Sequence, residues 1–199
     1  MAARRVAAAD RTSALVAWHC VAACLVAVLL AAGAAQADPP PTHGAGSARP
    51  NLLTRGSVTG WKLPRFASLE AAVVNLRRGP GKRYPIDWVY HRRGLPVEII
   101  REFDTWRQVR MPDGTTGWVY HSLLTGVRGF LVTAPNTTLR RAPRADAAAV
   151  AHLRRGVIGQ LRHCEANAAW CSVRLQRLSG WLPRTDFYGA YPHEAVPSR

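Results

Sequence analysis

Beyond residue 60 the hydrophobic positions fall in short runs rather than long periodic stretches. Val97-Glu98-Ile99-Ile100-Arg101 and Trp106-Arg107-Gln108-Val109-Arg110 are β-prone and separated by a polar turn, in which Asp104 reads as a turn residue. Pro112-Asp113-Gly114 marks the next reversal, ahead of residues 115–120, and residues 157–162, 170–175 and 179–182 repeat the scheme. Such runs bounded by turn residues predict strands. Helical periodicity is convincing nowhere except in the alanine-rich residues 145–153. Many short strands with regular turns point to small barrels, which close the sheet and remove its edges.

The landmarks of this pattern occur twice. Leu76-Arg77-Arg78-Gly79-Pro80 matches Leu139-Arg140-Arg141-Ala142-Pro143 at an offset of 63 residues. Arg92-Arg93-Gly94 matches Arg154-Arg155-Gly156, Trp106 with Val109-Arg110 matches Trp170 with Val173-Arg174, and Gly117-Trp118-Val119 matches Gly180-Trp181-Leu182. Four landmarks kept in order define two tandem modules of about 60 residues, with small insertions confined to loops. Gly79 and Gly81 are expected to allow a tight turn, and Gly117 to let strands pack closely. A domain of this size buries only about 60% of its unfolded surface, so each copy is marginal alone.

The start of the chain has a different character. Arg4, Arg5 and Arg11 precede an apolar run over residues 14–32, broken only by His19, and Ala35-Gln36-Ala37 supplies small residues before Asp38. This is the layout of an export signal. The run is also long enough to span a bilayer, which leaves an uncleaved anchor open, but the Ala-x-Ala ending favours cleavage and no transmembrane segment would remain afterwards. Arg4-Arg5 lacks the flanking residues of a twin-arginine motif, and Cys24 sits too early in the run for a lipoprotein box. Residues 38–60, opening Pro39-Pro40-Pro41 and rich in Gly, Ser and Ala, read as a flexible spacer. Trp61, just beyond, belongs either to this spacer or to an interface.

Charge and cysteine usage narrow the function. The chain has 199 residues with 27 Lys+Arg against 12 Asp+Glu, a formal charge of +15, and only Lys62 and Lys82 are lysines. A surface carrying this excess favours anionic partners. Export would remove Cys20 and Cys24 and leave Cys164 and Cys171, an even pair flanking an expected hairpin in an oxidising compartment. That arrangement predicts a disulfide. A thiolate–imidazole pair of Cys164 or Cys171 with His152 or His163 is then ruled against. A zinc site at His163, Cys164 and Cys171 is disfavoured because adjacent strand residues face opposite ways. Asp87, Glu98, Glu102 and Asp104 form no acid/base pair, and Arg78-Gly79-Pro80-Gly81-Lys82 lacks P-loop spacing. The expectation is a protein that is not an enzyme and takes no cofactor or metal.

Val74-Asn75-Leu76-Arg77-Arg78-Gly79-Pro80-Gly81, then Arg93-Gly94, Trp106-x-x-Val109 and Gly117-Trp118-Val119, resemble the bacterial SH3-like (SH3b) domain. The opening Leu63-Pro64-Arg65-Phe66-Ala67-Ser68-Leu69 and closing Gly189-Ala190-Tyr191-Pro192 resemble the exported two-module subgroup of Gram-negative bacteria. The resemblance implies an all-β protein of two tandem SH3-like barrels. Its expected organisation is a signal peptide over residues 1–37, a linker over 38–62, module 1 over 63–126 and module 2 over 127–192. The second copy departs from the pattern at Ala142, which stands where the first has Gly79, and it has no counterpart of Gly81 and no aromatic equivalent of Tyr84 or Trp88.

SH3b modules bind or position while attached domains catalyse, so the resemblance implies recognition of cell-wall peptides or an envelope protein in the periplasm or outside the cell. Peptide grooves use aromatic walls. The candidate binding residues are Tyr84, Trp88, Tyr90, Trp106 and Trp118, with Arg92 and Arg93 on a turn where both guanidinium groups can reach one carboxylate. Trp106 and Trp118 also read as half-buried strand residues because both are matched in the second copy. Tyr84 and Trp88 lie in a proline-containing stretch read as loop and have no such match. Two other classes stay open: a binder of anionic polymers such as lipopolysaccharide or nucleic acid, with no dedicated nucleic-acid site, and a structural adaptor of the envelope.

Overall fold

The computed structural model describes residues 55–198 and the backbone of residues 3–5. The expected signal peptide and the first part of the expected linker otherwise lie outside the described residues. Module 1 contains β1 (Ala3–Arg5), β2 (Arg65–Leu69), β3 (Val74–Arg77), β4 (Ile86–Tyr90), β5 (Pro96–Phe103), β6 (Trp106–Arg110), β7 (Thr116–Tyr120) and β8 (Leu124–Thr125). Module 2 contains β9 (Gly129–Val132), β10 (Asn136–Arg140), β11 (Ala149–Arg154), β12 (Ile158–Cys164), β13 (Trp170–Leu175), β14 (Leu178–Pro183) and β15 (Phe187–Tyr188). The fold is all-β, as the short alternating runs predict. The alanine-rich stretch around residue 149 forms a turn and then β11, because its register against β10 outweighs alanine's preference for helix.

Apart from β1, which adds an eighth strand at one edge of the first sheet, the two sheets have the same topology. Their orders are β1-β4-β3-β7-β6-β5-β2-β8 and β11-β10-β14-β13-β12-β9-β15, so each strand of module 2 has a counterpart in module 1. The irregularities repeat as well. Register shifts occur between Leu76 and Arg77 and between Leu139 and Arg140, and again between Ile99 and Arg101 and between Leu161 and His163. Bulges bend and twist a strand, so the duplicated pattern gives both sheets the same curl. Val74, Leu76, Val97, Ile99, Val109 and Val119 enter one core from β3, β5, β6 and β7, over which the sheet curls. Phe130, Leu139, Leu161, Val173 and Leu182 do the same in module 2.

Duplicated residues carry the same loads. A Cβ on Gly117 would fall 2.5 Å from Cγ of Leu76, and one on Gly180 would fall 2.9 Å from Cγ of Leu139, so each glycine lets the β3 or β10 leucine pack across its neighbour. Arg77 Nη1 donates to the Tyr84 carbonyl at 2.7 Å, and Arg140 Nη1 donates to the Ala147 carbonyl at 2.7 Å. Each guanidinium clips the loop that follows its own strand, between β3 and β4 in module 1 and between β10 and β11 in module 2. Cys164 and Cys171, opposite each other on β12 and β13, form the expected disulfide.

The modules share their packing. Leu131 of β9 belongs to the core of module 1, with Ile158 and Tyr188 packed against it. Gly129 N–H donates to Ser68 Oγ at 2.8 Å, and the Tyr191 hydroxyl donates to Glu98 Oε1 at 2.7 Å. Phe66 lies between Tyr188 and Tyr191, with ring centroids 5.0 and 4.7 Å away. The last described residues are tied down too. Val196 and Cys164 exchange two backbone hydrogen bonds, while buried Arg184 donates to the carbonyls of Glu165, Ala168, Tyr191 and Glu194.

The end of the expected flexible linker is structured. Arg55 bridges to Lys62 and Gly56 N–H donates to the Trp61 carbonyl at 2.7 Å, closing a small hairpin. Glu102 holds it in place. Its carboxylate accepts the N–H groups of Val58 and Thr59 and the Thr59 hydroxyl, and pairs with Arg65 at 2.9 Å. Burial opposes ionisation of Glu102, but the Thr59, Val58 and Arg65 hydrogen bonds outweigh it and hold its pKa at about 2.

Candidate functional site

Among the sequence-predicted residues, Tyr90, Trp106 and Trp118 are buried at 5%, 8% and 9% exposure. Tyr90 is a core residue, which corrects its assignment to a ligand wall. Burial and the nearby Asp113 carboxylate push its hydroxyl up to about 12. Trp118 is a buried strand residue, as its match in the second copy implied. Trp106 packs edge-on against Tyr120 at 5.5 Å, and the two wall a shallow groove of about 300 Å³ with Asn75, Arg77 and Lys82. Trp88 lies on strand β4 rather than in a loop and rests partly buried against the core.

Tyr84 has a defined structural task. Its ring sits between Gly79 and Gly81: a Cβ on Gly79 would fall 2.5 Å from the ring, and one on Gly81 would fall 3.3 Å from its other edge. Arg83 stacks over the same ring at 5.3 Å. The two glycines therefore make room for an aromatic side chain, and neither adopts the positive φ that would tie it to a tight turn. In module 2 the equivalent positions are Ala142 and Ala147, so the missing glycine and the missing ring are one coupled change.

A more enclosed site lies where the modules meet, and it contains none of the seven predicted binding residues. It is a cleft of about 510 Å³, within the size range of small-ligand sites. Phe66, Ile99, Leu124, Leu161 and Val196 provide apolar surface, and exposed Trp61 and Val127 stand at its rim. The hairpin pinned by Glu102 is what brings Trp61 there. Four guanidinium-bearing residues, Arg65, Arg107, Arg128 and Arg162, line the same space, and no carboxylate does.

These cations are pre-set by groups behind the cleft. Arg128 makes a two-point contact with Glu194 at 2.7 and 2.9 Å and donates to the Gly189 carbonyl at 2.7 Å. It also stacks on Phe66 at 5.3 Å, and Arg65 stacks on Trp61 at 5.2 Å. Burial works against the Glu194 charge, yet the Arg128 contact lowers its pKa on balance. Arg65 Nη1 and Arg128 Nε are buried without a hydrogen-bond partner among the described residues. Guanidinium groups held in place beside apolar surface suit a ligand that combines carboxylates with small apolar groups. The cleft escaped the sequence reading because residues more than 60 positions apart assemble it. Trp61, with two readings open, was its one visible signal.

Each module is thus a small curled sheet of SH3-like form, present twice with the same strand order and bulges. The model of the bacterial SH3 domain matches residues 70–126 and 133–187, and the chain belongs to that family. No curated protein matches it. Among solved structures it is similar to NlpC2 and NlpC1 from Trichomonas vaginalis, each at 10% identity and a TM-score of 0.29. These matches cover 64% and 68% of this chain and 48% and 49% of the other two, so the chain spans about half their length. Among the described residues, no helix is long and apolar enough to cross a membrane, and no group of three His, Cys, Asp or Glu is placed to hold a metal ion.

Proposed function

We propose that the protein is an extracytoplasmic, non-catalytic binder of short carboxylate-bearing peptides of the cell wall, and that the cleft between its modules is the binding site. The observation that carries this reading is the combination of an apolar floor with four arginine side chains and no lining carboxylate. Cell-wall stem peptides offer small apolar side chains and several carboxylates, which match such a surface. Binding rather than turnover fits the fate of the reactive groups. Cys164 and Cys171 are consumed in the disulfide, and Glu98, Glu102 and Glu194 are each engaged by arginine. The disulfide also fits an oxidising compartment.

The test is chemical-shift mapping of the protein titrated with soluble muropeptides. Shifts are expected to concentrate on Trp61, Phe66, Val127 and Leu161. Trp61→Ala should weaken binding by roughly fivefold to tenfold, the worth of one exposed aromatic contact, while Tyr84→Ala and Trp88→Ala leave it nearly unchanged. Shifts centred on Trp106 and Tyr120 instead would move the site to the module 1 groove and refute the cleft. Absence of any shift would refute the peptide reading.

A further inference from the structure

On another side of the junction the two Arg-Arg-Gly turns meet. Arg92-Arg93-Gly94 and Arg154-Arg155-Gly156 occupy equivalent places in the two modules, and Gly94 and Gly156 both adopt positive φ, 79° and 89°. Only glycine takes that conformation without strain, so each turn is fixed by its own third residue. Docking of the modules brings the turns together: Arg92 Nη2 donates to the Gly156 carbonyl at 2.9 Å. His91, Arg92, Arg93 and Arg155 surround an open depression of about 560 Å³ that no carboxylate lines.

The charges there are poorly neutralised. Arg92 is held by a carbonyl, which orients the guanidinium and leaves its charge intact. Arg93 meets Glu70 at 2.6 Å, but both side chains are largely exposed and such pairs bind weakly. Arg155 has no ion pair among the described residues. Gathering cations in one place with so little acidic compensation is unfavourable unless an anion joins them. The depression is open and mostly polar, unlike the apolar cleft, so it suits a compact anionic group projecting from a larger body. A phosphate, with its several acceptor oxygens, can engage two or three guanidinium forks at once.

We propose that the paired Arg-Arg-Gly turns form a second site that binds phosphate groups. This proposal does not depend on the peptide reading of the cleft. The probes are inorganic phosphate, followed by backbone chemical shifts, and phosphatidylcholine vesicles with and without phosphatidic acid, followed by sedimentation. Expected are shifts at Gly94, Arg155 and Gly156 with phosphate, and cosedimentation that requires phosphatidic acid if the source is a lipid headgroup. Shifts with phosphate but no vesicle binding would assign the site to soluble phosphorylated compounds. Arg155→Gln, at an exposed position, should lower affinity roughly tenfold, the loss expected for one charge-assisted contact. Arg92→Gln should do the same, and muropeptide binding should be unaffected by Arg155→Gln. Arg101→Gln, an exposed charge elsewhere, serves as the control. An equal loss from Arg101→Gln would reduce the effect to overall charge and overturn the proposal, as would the absence of any response to either probe.

Discussion

Gly79 and Tyr84 provide a sharp test of how the first loop of module 1 is built. A methyl group at residue 79 would lie 2.5 to 2.6 Å from three ring carbons of Tyr84, more than 1 Å inside normal contact. The ring cannot retreat freely, since Gly81 backs it on the opposite edge. Gly79→Ala should therefore cost about 2 kcal/mol, in the range of overpacked sites. Gly79 does not have positive φ, so the cost comes from the ring and not from the backbone. In a Tyr84→Ala background the same substitution should be neutral, or stabilising by up to about 1 kcal/mol through a stiffer unfolded chain. The double-mutant cycle is then expected to give a coupling near 2 kcal/mol. Urea unfolding of the four proteins measures it, as shifts in midpoint at constant slope. An equal cost of Gly79→Ala in both backgrounds would refute the reasoning, because the strain would then lie in the backbone.

Three further outcomes follow from contacts elsewhere. Glu102 titrates at about 2 in the folded protein against an ordinary 4.5, so its stabilisation is fully present above pH 4.5 and is lost as pH falls toward 2; the amount at stake is on the order of 3 kcal/mol. Thermal unfolding across that range should show the loss, and Glu102→Gln should flatten the profile while lowering stability at neutral pH. Reducing Cys164–Cys171 opens a short loop and should cost about 2.5 kcal/mol in the chain-entropy account; a much smaller loss in chemical denaturation would mean that the Val196 bridge already holds the hairpin closed. Gly129→Ala would drive a methyl group into the Gly94 carbonyl across the junction. It should cost about 2 kcal/mol or more and separate a single unfolding transition into two, whereas an unchanged calorimetric trace would show that the junction yields easily.

The repeat was the most legible part of the sequence, because a duplicated fold must reuse its glycines, bulges and loop clips at the same spacing. Leu76, Arg77 and Gly117 recur as Leu139, Arg140 and Gly180 for reasons the geometry makes plain. Aromatic side chains were harder to place. Tyr90 and Trp118 look like ligand walls in one dimension, but the folded sheet buries both. Trp88 looks like a loop residue because Pro85 lies close before it, although the strand begins at Ile86. The hairpin around Trp61 looks like spacer because its anchor, Glu102, is more than 40 residues away. Beyond Trp61, a cleft built from both modules leaves no local signature, and neither does the meeting of the two Arg-Arg-Gly turns.

The carbonyl-bound arginines also bear on where the protein's basicity comes from. Arg77, Arg140 and Arg184 fasten loops by donating to backbone oxygens that carry no formal charge, so every such fastening leaves a full positive charge uncancelled. Part of the cationic character is then a by-product of construction, set by how many loops need stapling rather than by any ligand. Exchanging these residues for lysine would keep the electrophoretic mobility of the molecule and yet loosen it, since an ammonium group lacks the planar fork that reaches several oxygens at once.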